Sequence, residues 1–294
     1  MKTQKPLGAR SPEEADQAVD ACRRQLQATG ISPTRRLEVE FNLVSALLER
    51  SGSRRHRDGM ADAADLLEQI LGRPAITPST RYRAVSELVN IKNQLASRDG
   101  TDTGYEAAVD QQSALAEELS NPEDRAYAQT QAALERANLQ MYRLSRLTPE
   151  TNEDEYRTLF EGLVSSYQRA IATEPDGASF TPPIRSRLGA ALLMVDPEEA
   201  IVELRRGWDS VRDRPMFYRA TAQLYLAQGL IQQVQQRLSA SPEPLLAEAE
   251  SLCTEVIAAK TPMDRFAHEN MAQILTLRSR RPWTSANRPG GRVS

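Results

Sequence analysis

Asn42-Leu43-Val44-Ser45-Ala46-Leu47-Leu48-Glu49-Arg50 is the stretch that decides the fold, because it comes back. Asn90 to Arg98 reads NIKNQLASR and Asn138 to Arg146 reads NLQMYRLSR, each copy starting 48 residues after the one before. Every copy opens on Asn, places Leu or Ile second and closes on Arg at the ninth position. Looser echoes follow at Arg187–Leu192 (RLGAAL), Gln223–Ala227 (QLYLA) and Asn270–Leu275 (NMAQIL). Self-similarity at a fixed period of this size is the mark of a helical repeat array.

Composition agrees. The 294 residues are more than one compact core usually takes, but a repeat array escapes that limit because each unit packs only on its neighbours. Glycine is scarce, and Ala, Leu, Glu, Gln and Arg, which keep most of their rotamer freedom in a helix, dominate. Charge is near balance, with 37 basic against 40 acidic residues, so no global field draws the chain to nucleic acid or to a membrane surface. The longest apolar run, Leu188 to Val195, is far short of the ~20 residues of a membrane span. The opening MKTQKPLGARSPEEA lacks the apolar core of a signal peptide. Cys22 and Cys253 are too distant in sequence to suggest a disulfide framework. Together these readings predict a cytoplasmic protein without a membrane partner.

Taken in order, residues 1–10 are polar and read as a flexible N-terminus. Ser11-Pro12-Glu13-Glu14 is a helix start: Ser caps, Pro fits the first turn, and the acids face the positive end of the helix dipole. That helix is predicted to reach about Thr29. The next runs to Arg50, with Leu37, Phe41, Val44, Leu47 and Leu48 at spacings that make one apolar stripe. Further helices are predicted at 61–71, 80–97, 105–119 and 124–147, and one capped within Thr151–Asp154 that ends before Pro175. Those beyond are placed at 180–195, 197–211, 215–238, 242–259 and 264–278. Residues 11–277 thus read as one all-α domain of antiparallel helix pairs, and 278–294, rich in Arg, Pro and Gly without an acid, as a disordered tail.

Several of these residues resemble the tetratricopeptide repeat family. Asn42-Leu43-Val44-Ser45-Ala46-Leu47-Leu48 and Leu188-Gly189-Ala190-Ala191-Leu192-Leu193 fit the core of the family's first helix. Tyr167, Ala170 and Pro175 fit the end of its second helix, and Ala200, Leu204 and Gly207 fit it more loosely. The resemblance covers about residues 32–277. Its period of 48 exceeds the family's ~34, and in this long form it looks like the repeat regions of actinobacterial regulatory proteins, including those beside caspase-like CHAT domains. It implies a superhelical α-solenoid whose concave groove binds a protein or peptide. Asn42, Asn90 and Asn138, with Arg187 at the same register of a later helix, would line that groove. An amide there can both donate to and accept from an extended peptide backbone. The alternative is an amide that bonds a neighbouring helix. Lysines of a carboxylate-binding groove would stand four residues before each Asn, where this chain has Glu38, Ser86 and Leu134.

Other constellations carry less. Arg50, Arg98 and Arg146 sit in last turns, where cations favour the helix dipole; the sharper reading is a row of anion contacts. Arg54, Arg55, His56 and Arg57 form a basic loop able to contact anions, but no aromatic is interleaved for bases to stack on, which argues against nucleic acid. Asp99–Gly104 reads as a turn rather than a calcium loop. His268-Glu269 begins a zinc-protease helix motif that Ala272 breaks, so no metal site is expected. No glycine-rich phosphate loop and no nucleophile elbow occur, and no catalytic residue or cofactor is assigned. The expectation is a non-catalytic protein- or peptide-binding scaffold, with a peptide- or ligand-sensing regulatory module as the alternative and an all-α enzyme with a carboxylate site behind both.

Overall fold

A computed structural model describes residues 11–51, 58–148, 152–174, 184–193, 195–236 and 241–279. Among them every regular element is an α-helix, and no strand occurs. In chain order these are α1 (Pro12–Gln27), α2 (Pro33–Ser51), α3 (Gly59–Leu71), α4 (Pro78–Asp99), α5 (Tyr105–Glu117) and α6 (Pro122–Leu144). They continue as α7 (Glu153–Thr173), α8 (Ile184–Leu192), α9 (Pro197–Asp209), α10 (Met216–Gln235), α11 (Pro242–Ala258) and α12 (Asp264–Ser279). No helix among the described residues is long and apolar enough to cross a membrane.

The chain falls into two compact units: unit 1, Met1–Ser166 with Thr173–Pro175, and unit 2, Tyr167–Ala172 with Asp176–Ser294. The division runs through α7.

Cap chemistry sets the helix starts, and it moves two of the sequence boundaries. Ser11 Oγ accepts from Glu14 N at 3.2 Å while Ser11 N donates to Glu14 Oε2 at 2.8 Å, a reciprocal box that opens α1. α4 begins at Pro78, not at Thr80, because Thr77 is the cap: its hydroxyl accepts from Thr80 N at 3.2 Å, and Pro78 fills a first-turn position that needs no donor. Asn121 does the same for α6, accepting from Glu123 N at 2.9 Å, so Pro122 rather than Asp124 is its first residue. Of the expected cap of α7, Asn152 makes no side-chain cap bond, and Thr151 lies outside the described residues. α8 is shorter than its predicted span, ending at Leu192, and positions 180–183 lie outside the described residues.

In unit 1 successive helices are antiparallel, and the side-chain bonds show it, since one partner's number falls as the other's rises. Between α2 and α3, Glu40 meets Arg73, just past the helix, while Arg50 meets Asp62. Between α5 and α6, Glu117 accepts from Gln129, and Asp102, just before α5, accepts from Arg143. Between α6 and α7, Ser166 donates to Gln140 and Thr130 bonds Thr173. Helices two apart run parallel: the Tyr82 hydroxyl on α4 donates to Ala128 O on α6 at 3.2 Å, and Arg83 stacks 4.2 Å over the Phe41 ring of α2. Leu43, Ile91 and Leu139, each following a ladder Asn, are 7%, 0% and 1% exposed. Burying each such side chain is worth about 1.5–3 kcal/mol.

Unit 2 packs α8 through α12. Here the helices approach through glycines. A Cβ on Gly189 would stand 2.6 Å from Leu204 Cγ and 2.9 Å from Ala200 O; one on Gly207 would stand 2.9 Å from Ser186 N; and one on Gly229 would meet Leu204 Cδ1 at 2.5 Å. Leu204, Leu226, Leu230, Ile231, Leu246 and Ile274 fill the space between.

Candidate functional site

Among the described residues of unit 1, a groove of about 530 Å³ lies between α4, α5 and α6. α4 lines it with Ser79, Tyr82, Arg83, Ser86, Glu87 and Asn90, spaced by threes and fours so that all share one face. α6 lines the opposite wall with Asp124, Tyr127, Gln131 and Glu135. Gln112 of α5, only 3% exposed, and Leu119 complete the lining. The 48-residue register maps onto the walls: Ser79 faces the groove as Tyr127 does, Arg83 as Gln131, and Glu87 as Glu135. The repeat therefore builds both walls from equivalent positions.

A chain of hydrogen bonds fixes the floor. Gln112 Nε2 donates to Ser86 Oγ at 3.1 Å, and Ser86 Oγ donates to Tyr82 O at 2.9 Å. Burial pushes the Tyr82 phenol up to about 12, so it stays protonated and serves as the donor to Ala128 O. Gln112 Oε1 is buried and has no partner. On the α6 side, Glu135 Oε2 accepts from Tyr105 at 3.3 Å and from Asn138 at 3.2 Å. Burial, then the Glu135 charge, raise the Tyr105 phenol above its ordinary value, which keeps that proton in place.

The Asn ladder is therefore not uniform. Asn90 is exposed and lines the groove. Asn138 is half-buried and tied to Glu135, a groove residue one turn before it. Asn42 is exposed on α2 and does not belong to this lining. Arg187 stands half-buried on α8 in unit 2, where its charge opposes the burial that raises the Tyr167 phenol. Of the positions a carboxylate groove would fill with lysine, Glu38 is exposed, Ser86 is engaged by Gln112, and Leu134 is buried.

The Arg ladder resolves into local contacts. Arg50 pairs with Asp62 at 3.5 Å, and Arg98 forks onto Asp99 at 2.6 and 2.7 Å, which holds that carboxyl below its usual range. Arg146 donates to the Tyr142 hydroxyl at 3.0 Å and packs against Gly100. Arg54, Arg55, His56 and Arg57 lie outside the described residues, as do 280–294 of the expected 278–294 tail, whereas Arg278 and Ser279 close α12 and Arg278 pairs with Glu243 and Glu250. The Asp99–Gly104 segment is a turn, with Gly100 and Gly104 at φ 73° and 75°, and Arg143 clasps it through Asp102 and Glu106. His268 is exposed, and its neighbour Glu269 is paired with Arg265. Among the described residues no cluster of His, Cys, Asp and Glu could hold a metal ion. Cys253 is buried, and burial pushes its thiol up to about 11, which removes the thiolate that reactivity needs.

Of this lining the sequence reading proposed only Asn90 as a groove residue, and missed both its partners on α4 and the whole of the α5 and α6 contribution. A signal for Tyr127 and Gln131 lay in the repeat register, since they stand one period beyond Ser79 and Arg83. Comparison of the chain with protein-family models and with curated proteins returns no match.

Proposed function

We propose that the chain is a non-catalytic protein- or peptide-binding scaffold, built of tetratricopeptide-like helix pairs of an α-solenoid, which takes an extended segment of its partner along the groove of α4 and α6. The observation that carries this reading is the repeat-equivalent lining: two parallel helices, one period apart, present matching polar faces to one groove. A surface of that kind offers regularly spaced contacts, which suits a chain rather than a compact molecule. Asn90 and Gln131 supply amides that can both donate and accept, the pairing that a peptide backbone needs. Tyr127, 41% exposed, adds an aromatic anchor of the sort enriched where binding energy concentrates.

The test is a displayed library of extended peptides selected on the full chain. Selected peptides are then measured against an Asn90→Ala/Gln131→Ala variant. The expected loss is roughly 0.5–1.5 kcal/mol for each lost hydrogen bond, with the melting temperature unchanged. Peptides that bind the variant as well as the parent chain would place recognition elsewhere and end this reading.

A further inference from the structure

We propose that unit 2 carries a seat for a phosphate monoester between α8 and α10, formed by the Arg187 guanidinium with the Tyr167 and Tyr225 hydroxyls. The seat is separate from the groove of unit 1, and neither reading rests on the other.

Three observations converge. The first is an unpaired charge. Arg185, Arg219 and Arg278 are half-buried arginines of unit 2, and they pair with Glu203, Glu255 and Glu250 in turn. Arg187 is half-buried as well, yet among the described residues it makes no hydrogen bond and no ion pair. A half-buried cation without a counter-ion has lost part of its hydration and draws an anion. The second is register. Ser186 meets Gly207 while Gly189 meets Ala200, so α8 and α9 are antiparallel. Arg219 reaches Arg212 O while Gly229 meets Ile201, so α9 and α10 are antiparallel too. α8 and α10 therefore run parallel, and Leu193 of α8 stands level with Gly229 and Gln232, which donates to Leu193 O at 3.2 Å. Arg187 lies six residues before Leu193 (193 − 187 = 6), level with 223–226. Of those, Gln223, Leu224 and Leu226 are buried, and Tyr225 is half-buried on the face that carries Gln232. The third is Tyr167, which clusters with unit 2 and is 4% exposed. Burial raises its phenol; the Arg187 charge opposes that rise and the Tyr225 phenol adds to it, so both groups stand near it. Neither tyrosine hydroxyl makes a hydrogen bond among the described residues. A buried hydroxyl without a partner is unfavourable until an acceptor arrives. The guanidinium is donor only, and each phenol has a proton to give. A carboxylate, with two oxygens, is satisfied by the guanidinium fork alone. A phosphate monoester has three terminal oxygens, so two take the fork and the third takes the phenol protons. Its charge, about −1.5 to −2 at pH 7, also exceeds that of a carboxylate.

Fluorescence anisotropy and melting curves on the full chain, at constant ionic strength, test this. The probes are serine-rich peptides with one central phosphoserine, the same peptides with glutamate or unmodified serine there, and inorganic phosphate. The phosphoserine peptide should bind at least roughly tenfold more tightly than the serine peptide, as hydrogen bonds to charged groups exceed those to neutral ones. An Arg187→Gln variant should lose that preference, and Tyr225→Phe should reduce it, both at the melting temperature of the parent chain. If Arg187→Gln melts early, Tyr225→Phe decides the matter. The arms also separate the source of the phosphate. Inorganic phosphate that raises the melting temperature of the parent chain and not of Arg187→Gln, while no phosphopeptide binds, supports the seat and assigns it to a free phosphate compound. Equal binding of the phosphoserine and serine peptides, without a response to inorganic phosphate, overturns the seat. So does a phosphate preference that survives both variants. A glutamate peptide that binds as tightly as the phosphoserine peptide makes the seat one for carboxylates and overturns the phosphate assignment.

Discussion

The two units use the same sequence pattern to opposite ends. In unit 1 two of the three copies turn the amide outward: Asn42 and Asn90 are exposed, while Leu43 and Ile91 behind them are buried, and Asn138 is half-buried against Glu135. In unit 2 the echoes of that pattern turn the amide inward. Gln223 is fully buried and donates to Glu255 at 2.9 Å, and Asn270 is 6% exposed with its nitrogen 3.5 Å from Leu224 O. The packing differs in step. Unit 1 spans its helix pairs with long side chains, as in Arg73 to Glu40, Lys92 to Glu68 and Arg143 to Asp102. Unit 2 brings α8, α9 and α10 together through Gly189, Gly207 and Gly229. The register amides of unit 2 are internal ties, Gln223 of α10 to α11 and Asn270 of α12 to α10. The repeat sets where an amide falls; the helix packed beside it decides whether it faces outward or ties to a neighbour.

The largest effects should come from the two packing modes. Leu139→Ala in unit 1 deletes a side chain that is 1% exposed and is expected to cost about 2–5 kcal/mol. Leu43→Ala belongs to the same class. Gly207→Ala in unit 2 forces a methyl group against the backbone of Ser186 and is expected to cost about 1–3 kcal/mol by overpacking. Chemical denaturation measures both. A stability loss under about 0.5 kcal/mol for Gly207→Ala would mean that α8 and α9 part without cost, and the contrast between the units would fail.

Asn270→Ala is expected to cost about 1–3 kcal/mol, because its amide is a buried tie to α10. If that variant melts with the parent chain, the inward amide of unit 2 contributes no more than an exposed one. The cysteines offer a chemical version of the same contrast. Cys22 is half-buried in α1, whereas Cys253 is buried in α11 with its thiol raised to about 11 from an ordinary 9.0. At pH 8 Cys253 should resist alkylation until the protein is denatured, and Cys22 should react first. Since the folded thiol titrates above the unfolded one, this group leaves stability unchanged below pH 9 and lowers it as pH rises from 9 through about 11.

Much of this was legible in the sequence. Cap pairs such as Ser11-Pro12 announce helix starts whatever the tertiary setting, and threefold and fourfold apolar spacing identifies buried positions such as Val44 and Leu47. Of the groove walls the sequence reading singled out Asn90 alone, with Ser86 only as a place without lysine. Gln112 was not legible, because its place at the floor depends on how α5 is rotated against α4, which no local pattern states. The inward turn of Asn270 was hidden for a similar reason. Asn270-Met271 and Asn90-Ile91 look alike as dipeptides, and only the neighbouring helix separates them. Arg50 and Arg98 kept their helix-end positions but also found carboxylates, Asp62 across a loop and Asp99 next door.

The smallest expected effects test the ladder itself. Asn42→Ala and Asn90→Ala remove exposed amides, so each should shift stability by no more than about 0.5 kcal/mol. Asn138→Ala is different. Its nitrogen donates to Glu135 Oε2, a carboxylate that also accepts from the buried Tyr105, so removing it should cost about 0.5–1.5 kcal/mol. The three variants also separate in binding. Asn90→Ala should weaken capture of a selected peptide directly, Asn138→Ala should weaken it by loosening Glu135 in the groove wall, and Asn42→Ala should leave a peptide held at the α4–α6 groove unaffected. Melting curves and peptide titrations on the same three proteins decide the matter. If Asn42→Ala weakens binding as much as Asn90→Ala does, the bound segment extends over α2 and the groove is longer than the cleft between α4 and α6. If Asn90→Ala destabilises the fold as Asn270→Ala does, the outward amide is structural after all, and the distinction between the two units collapses.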